Sequence, residues 1–234
     1  MEHHASEGVL ASLGISNVMI TSSVITIILC LLAYLGTRRM EMVPSGLQNV
    51  VEWAVEKLYK FFSNIMGELT CRKYFPLIGT LFIYVLVCNY SGLLPLAGHL
   101  PGLKAPTSSF NFTAALAIVV FFAVQIIGIK ENRGPKFFLH LFKPMAFMFP
   151  LMLLEQFVRP LSLCLRLYGN IYGEEAVVEA FFGLIPLGLP VVMQFLSVLM
   201  GLVQALVFAL LSAIYITEAV ETAEHFSSEH AEHA

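Results

Sequence analysis

Arg166 is a permanent cation in an apolar run. It sits in Arg159-Pro160-Leu161-Ser162-Leu163-Cys164-Leu165-Arg166-Leu167-Tyr168-Gly169-Asn170. A charge at the centre of a membrane helix costs roughly 3 kcal/mol on insertion scales, so such a residue is seldom there for stability alone. At about 100° per residue, Ser162, Arg166, Gly169, Asn170 and Gly173 fall on one helical face. That face is small and polar, and small residues let a second helix approach closely. Its chemistry is that of a fixed positive charge: it can hold an ionised carboxylate on a neighbouring helix. Pairing with a glutamate of the same chain, as structural glue, is the other use of such a residue, and spacing alone leaves both open.

Carboxylates follow on the same helix at Glu174, Glu175 and Glu179. Glu175 is nine residues beyond Arg166, half a turn round the helix. The two are therefore not a natural intrahelical pair and serve different surfaces. Upstream, Glu155 and Arg159 stand at i and i+4, the spacing of an ordinary ion pair. Near the C-terminus, Gln194, Ser197, Gly201 and Gln204 share one face of a long apolar run. A polar stripe of this kind lines a wet path or satisfies a neighbouring helix, and the spacing does not choose between them.

The elements that must carry these residues are membrane helices. Hydrophobic residues make up 58% of the chain and charged residues 12%, about half the soluble norm of roughly 25%. No Asp, Glu, Lys or Arg occurs in 8–37, 74–103, 105–129 or 180–217. Each gap exceeds the roughly 20 residues needed to cross a 30 Å hydrocarbon core. The net charge of −3 offers no basic field, so no nucleic-acid partner is expected. The fold class is an all-α polytopic membrane protein embedded in the lipid bilayer as a single membrane domain. About five embedded helices and one amphipathic surface helix are expected.

The expected layout has an N-terminal segment (1–17), a first span (18–36), an amphipathic helix (44–68), a second span (74–96) and a third (112–129). A hairpin of two long stretches (145–182 and 187–216) and a tail (217–234) complete it. Pro44-Ser45 reads as the start of the amphipathic helix, with Ser45 its cap. Leu47, Val50, Val51, Ala54, Leu58, Phe61, Phe62 and Ile65 recur there at helical spacing opposite Gln48, Asn49, Glu52, Glu56, Lys60 and Ser63, a pattern suited to the membrane surface. The Pro- and Gly-containing stretch 95–106 reads as a loop. The last run, some thirty residues, is too long to stand upright in a bilayer and is expected to tilt. The Glu- and His-rich tail reads as a solvated end.

Of thirteen Lys and Arg, six lie between Arg38 and Lys73 and four between Lys130 and Lys143. Both regions are expected on the cytoplasmic side, which puts the N-terminus outside and the C-terminus inside. The first residues carry no Lys or Arg, so neither a signal peptide nor a transit peptide is expected there. Cys30, Cys71, Cys88 and Cys164 are widely spaced and form no CxxC. They read as small buried hydrophobes, and no metal site or cofactor is expected.

The segment from Arg159 to Tyr172 resembles the signature of subunit a, the ion-translocating stator subunit of rotary F-type ATP synthases of bacterial type. Asn89 to Pro95 resembles that family's Asn-Leu-x-Gly-Leu-Leu-Pro element, and Gln204-Ala205 to Ile214-Tyr215 its final helix. The resemblance implies that Arg166 is the essential stator arginine facing a ring of c subunits, with Asn170 its polar neighbour. It implies that Glu175 is the carboxyl of an outward-facing half-channel and that Gln204 packs near the arginine. Bacterial relatives often carry His at the place of Ser197. Serine cannot titrate, so the relay there falls to water, Glu175 or the extra carboxylates Glu174 and Glu179. Mitochondrial relatives usually have His where Glu175 stands, which favours a bacterial cell membrane. The implied partners are the oligomeric c ring, the peripheral-stalk b subunits and the rest of the ATP synthase. The implied role is to couple proton or sodium flow to ring rotation and ATP synthesis, with no catalysis by the subunit itself.

Two other classes make different demands. A free-standing channel or secondary transporter calls for inverted repeats or a self-contained acidic relay, and an intramembrane enzyme calls for HExxH, GxSxG or an equivalent set. The sequence contains none of these.

Overall fold

The computed structural model describes residues 17–37, 46–93, 105–131, 149–184 and 189–232. Among these there are six α-helices, one 3-10 turn and no strand. They are α1 (Asn17–Thr37), α2 (Leu47–Met66), α3 (Glu68–Ser91), the turn Pro106–Ser108, α4 (Phe110–Glu131), α5 (Phe149–Leu184) and α6 (Leu189–Glu232). The segment before residue 17, the Ser45 cap, the 95–104 part of the loop and most of the basic loop after Lys130 lie outside the described residues.

Four helical stretches are long and apolar enough to cross a membrane: Val18–Thr37, Glu68–Ser91, Phe110–Glu131 and Val192–Glu221. The chain is therefore an all-α polytopic membrane protein. α5 is excluded from that set by composition, because Glu155, Arg159, Arg166, Glu174, Glu175 and Glu179 interrupt its apolar run.

Gly67 makes the corner between α2 and α3 with φ +77° and ψ 154°, a conformation that L side chains rarely adopt. α3 then starts at Glu68, earlier than the apolar run alone suggests. Glu68 is well placed beside the positive end of the helix dipole. Pro76 lies inside α3, where its missing N–H removes the helical donor to the Arg72 carbonyl. Thr80 Oγ1 donates to the Pro76 carbonyl at 2.6 Å. At the same end, Lys73 and Tyr74 both donate to Glu131, tying the start of α3 to the end of α4.

α2 splits its apolar sector. Phe62 and Met66 are buried, with Leu58 and Tyr59 packed beside them, whereas Val50, Val51, Phe61 and Ile65 are exposed. Glu56 and Lys60 pair at 2.6 Å on its polar side.

α6 is the central element, touching α2, α3, α4 and α5. Gly201, Ala205, Ala209, Ser212 and Ala213 make a buried small-residue stripe along it, the device by which helices approach closely in lipid. Two cores use that stripe. One gathers Phe62, Cys71, Ile78, Ile127, Ala209, Ala213 and Ile216 from α2, α3, α4 and α6. The other gathers Val85, Ala105, Val120, Leu163, Leu167, Ile171, Ala205 and Phe208. α6 does not stop at Ile216: it continues to Glu232 through what reads as a solvated tail. No Gly or Pro falls between Gly201 and Glu232, so loss of hydropathy there ends the apolar stretch and not the helix. At 44 residues α6 is about 66 Å long, and at 36 residues α5 is about 54 Å.

Candidate ion-translocation site

α5 and α6 pair antiparallel. Arg159 meets Glu218, Asn170 meets Gln204, and Glu174 shares a cavity with Ser197, so numbers rise on one helix as they fall on the other. This pairing brings two sequence-distant polar sets together and sorts them onto two surfaces.

The first surface carries Arg166. Ser162, Arg166, Gly169 and Asn170 are exposed and Gly173 is half-buried. A side chain added at Gly169 or Gly173 would meet nothing within 4 Å. The strip is thus open, with room for another helix. Among the described residues Arg166 has no ion-pair or hydrogen-bond partner, so the intrachain glue considered for it is absent there. Four residues on, Asn170 Nδ2 donates to Gln204 Oε1 at 2.6 Å. Gln204 is only 4% exposed, and its buried Nε2 has no partner among the described residues. An unsatisfied buried donor costs about 1–3 kcal/mol, so it calls for an acceptor or a water.

The second surface is a cavity of about 280 Å³ between the ends of α3, α5 and α6. That is room for several waters. α5 supplies Glu174, Glu175 and Val178; α6 supplies Gln194, Ser197 and Gly201; α3 supplies Asn89, with Gly92 and Leu93 just beyond its end. Ala105 closes one wall, packed so near Gly92 that a side chain there would come within 2.8 Å of its Cβ. Glu174 Oε1 and Asn89 Oδ1 are buried and without a partner among the described residues. Both residues line the cavity, but these two oxygens are turned into the protein, where an unpartnered buried acceptor is costly.

Glu175 lines this cavity while Arg166 lies on the open strip, as the half-turn between them requires. The Asn170–Gln204 bond stands between the two. The α6 stripe does both things open to it: Ser197, 5% exposed, and Gln194 line the cavity, while Gln204 holds α5. Glu179 lies on α5, with its side chain outside the described residues.

Glu155 and Arg159 do pair, at 2.7 Å, but the guanidinium also grips Glu218 on α6 through two bonds of 2.6 and 2.7 Å and lies over the Tyr215 ring. Spacing within α5 gives no sign of Glu218; only the antiparallel register brings it there. Tyr90 is a second residue that spacing misses. Its hydroxyl donates to the Val198 carbonyl at 3.1 Å, beside Asn89 Nδ2 donating to the Gly201 carbonyl at 3.0 Å.

A family profile described as ATP synthase A chain matches residues 18–217. The chain is 39% identical over 211 residues to ATP synthase subunit a of Moorella thermoacetica, covering 90% of this chain and 94% of that one. It is 42% identical over 206 residues to ATP synthase subunit a of Gloeobacter violaceus, covering 87% and 83%. A protein of Syntrophotalea carbinolica named ATP synthase subunit a 1 is 41% identical over 203 residues, covering 85% and 83%. With a profile match through all six helices and relatives aligned over most of their length, the chain belongs to the ATP synthase subunit a family.

Proposed function

We propose that this chain is the ion-translocating stator subunit of a rotary ATP synthase and that Arg166 is the fixed charge on which coupling depends. The observation that carries the reading is the division of polar groups. A carboxylate-bearing cavity opens on one side of the Asn170–Gln204 contact, and a permanent cation stands on an open glycine strip on the other.

A guanidinium stays charged at any working pH. It attracts an ionised carboxylate carried past it by a partner helix, and the open strip at Gly169 and Gly173 gives that helix room. The same charge repels a cation trying to cross from one side to the other. Ions then enter through the cavity, ride on the partner's carboxylate and leave by a second path. That partner is an oligomeric c ring, which takes up a proton or sodium ion per site. Glu175 and Glu174 serve the outer path, with Ser197, Asn89 and Gln194 holding water in it. Glu179 lies one turn further along the same helix. Peripheral-stalk b subunits and the rest of the synthase complete the assembly. ATP is formed elsewhere in the complex and not by this subunit.

The orientation follows from the basic loops. The 38–73 region is cytoplasmic, so α3 runs outward and the cavity at its Leu93 end opens outside. The Arg159–Glu218 cluster then lies toward the cytoplasm, in a bacterial cell membrane. The apolar stretch of α6, Val192–Glu221, is about 45 Å long against a 30 Å core, so α6, with α5 paired along it, lies strongly tilted. Single cysteines placed at Ser6 and Ser228 should label from opposite faces of sealed vesicles; labelling of both from one face contradicts this orientation.

The functional reading is tested by purification from native membranes. The chain should come away with an oligomeric ring of a small carboxylate-bearing subunit. A chain that purifies alone and conducts ions alone contradicts it.

A further inference from the structure

α3 holds α6 by an unusual set of bonds. Tyr90 Oη donates to the Val198 carbonyl at 3.1 Å and Asn89 Nδ2 to the Gly201 carbonyl at 3.0 Å. In return, Gln194 Nε2 donates to the Leu93 carbonyl at 3.1 Å. Both acceptors on α6 lie within the helix, so the side chains take the second lone pair of carbonyls placed to bond within their own helix. Val198 and Gly201 are three residues apart and face the same way.

These bonds are sensitive to register. Sliding α6 by one residue moves it about 1.5 Å and turns its next carbonyl through about 100°, so both acceptors leave their donors at once. Gly201 makes the close approach possible: a Cβ there would lie 3.3 Å from Tyr90 Cε1 and 3.5 Å from Asn89 Cβ. Two functional side chains ride on the same stretch of α6. Ser197 faces the cavity, and Gln204, one turn past Gly201, holds Asn170 beside Arg166.

Building on the stator reading above, we propose that Tyr90, with Asn89, is a register clamp that sets α6 against α3 and so keeps ions in the outer cavity from passing Arg166 without the partner's carboxylate. Tyr90 is a positioning residue: it acts through α6 and touches no ion. With the clamp intact, one register puts Ser197 in the cavity and Gln204 on Asn170. With it loosened, α6 samples neighbouring registers in which the Asn170–Gln204 contact is broken, and ions slip between the two surfaces without turning the ring.

The test uses the native complex in sealed vesicles, with Tyr90→Phe, which removes one hydroxyl, and Gly201→Ala, which crowds the Tyr90 ring by a few tenths of an ångström. ATP formed per proton taken up is measured at equal amounts of assembled complex, alongside passive proton leak after the ATP-forming part is stripped off. The net worth of one hydrogen bond corresponds to about a three- to tenfold change in a two-register equilibrium. Tyr90→Phe should therefore raise the leak by about threefold or more and lower ATP per proton measurably, with Gly201→Ala moving both the same way. An unchanged ratio in both variants overturns the proposal. So does synthesis that falls only in step with assembled complex, or failure of both variants to assemble, since each makes these bonds purely structural. Arg166→Ala runs in parallel. If it still couples, the stator reading fails whatever Tyr90 does; if it is inactive and Tyr90→Phe is normal, only the clamp fails.

Discussion

Arg166→Ala should abolish ion-driven ATP synthesis while the complex still assembles. The side chain stands on the open strip and has no ion-pair or hydrogen-bond partner among the described residues, so its loss leaves the bundle's contacts intact. What disappears is the attraction for the passing carboxylate. Two unit charges about 4 Å apart at an effective dielectric near 20 interact by about 4 kcal/mol, and 1.36 kcal/mol is tenfold. The expected fall is therefore about a thousandfold, below the floor of most vesicle assays. Arg166→Lys should fare little better, since a compact ammonium can lose its proton when desolvated and lacks the planar fork. Arg159→Ala is the contrast. Its guanidinium joins Glu155 and Glu218, so its loss should lower stability and reduce synthesis in proportion to assembly, without uncoupling. Measurable coupled synthesis by Arg166→Ala would remove the residue from the mechanism.

The second large effect belongs to the cavity. Glu174→Gln with Glu175→Gln keeps the shape of the wall and removes both of its carboxylates. A positioned proton-transfer group is typically worth 10²–10⁴-fold, so the double variant should lose at least about a hundredfold in proton-driven synthesis. Each single variant should lose less, since the neighbour and the cavity water remain. Serine at 197 cannot titrate, so α6 offers no substitute there. ATP synthesis in energised vesicles, normalised to assembled complex, is the measurement. A double variant at more than half the normal rate would show that ions do not pass this wall.

Much of this was legible from local spacing. Arg166, Gly169, Asn170 and Gly173 share a face because 100° per residue says so, and the structure leaves that face open. Glu175 falls on the other side of α5 for the same reason. Spacing within one helix says nothing, however, about which residue of another helix it meets. Glu218 on Arg159, Tyr90 on Val198 and Asn89 on Gly201 all depend on the register between helices. The small-residue stripe of α6 lets the neighbouring helices come close enough for such contacts, but it does not name the partners. The element boundaries erred where hydropathy and helicity part company. α3 begins among charged residues at Glu68, and α6 runs on through charged residues to Glu232. Charge ends an apolar run without ending a helix, whose stop signals are Gly and Pro.

The central claim is that ions cross only by way of a rotating partner, never straight through this chain. Reconstituting the purified chain into proteoliposomes, alone and with its c ring, tests it most directly. With a membrane potential imposed, the chain alone should give no proton or sodium flux above protein-free vesicles, and the chain with its ring should conduct. Flux through the chain alone would contradict the account, because the cavity beside Glu174 and the strip beside Arg166 would then be one continuous pore.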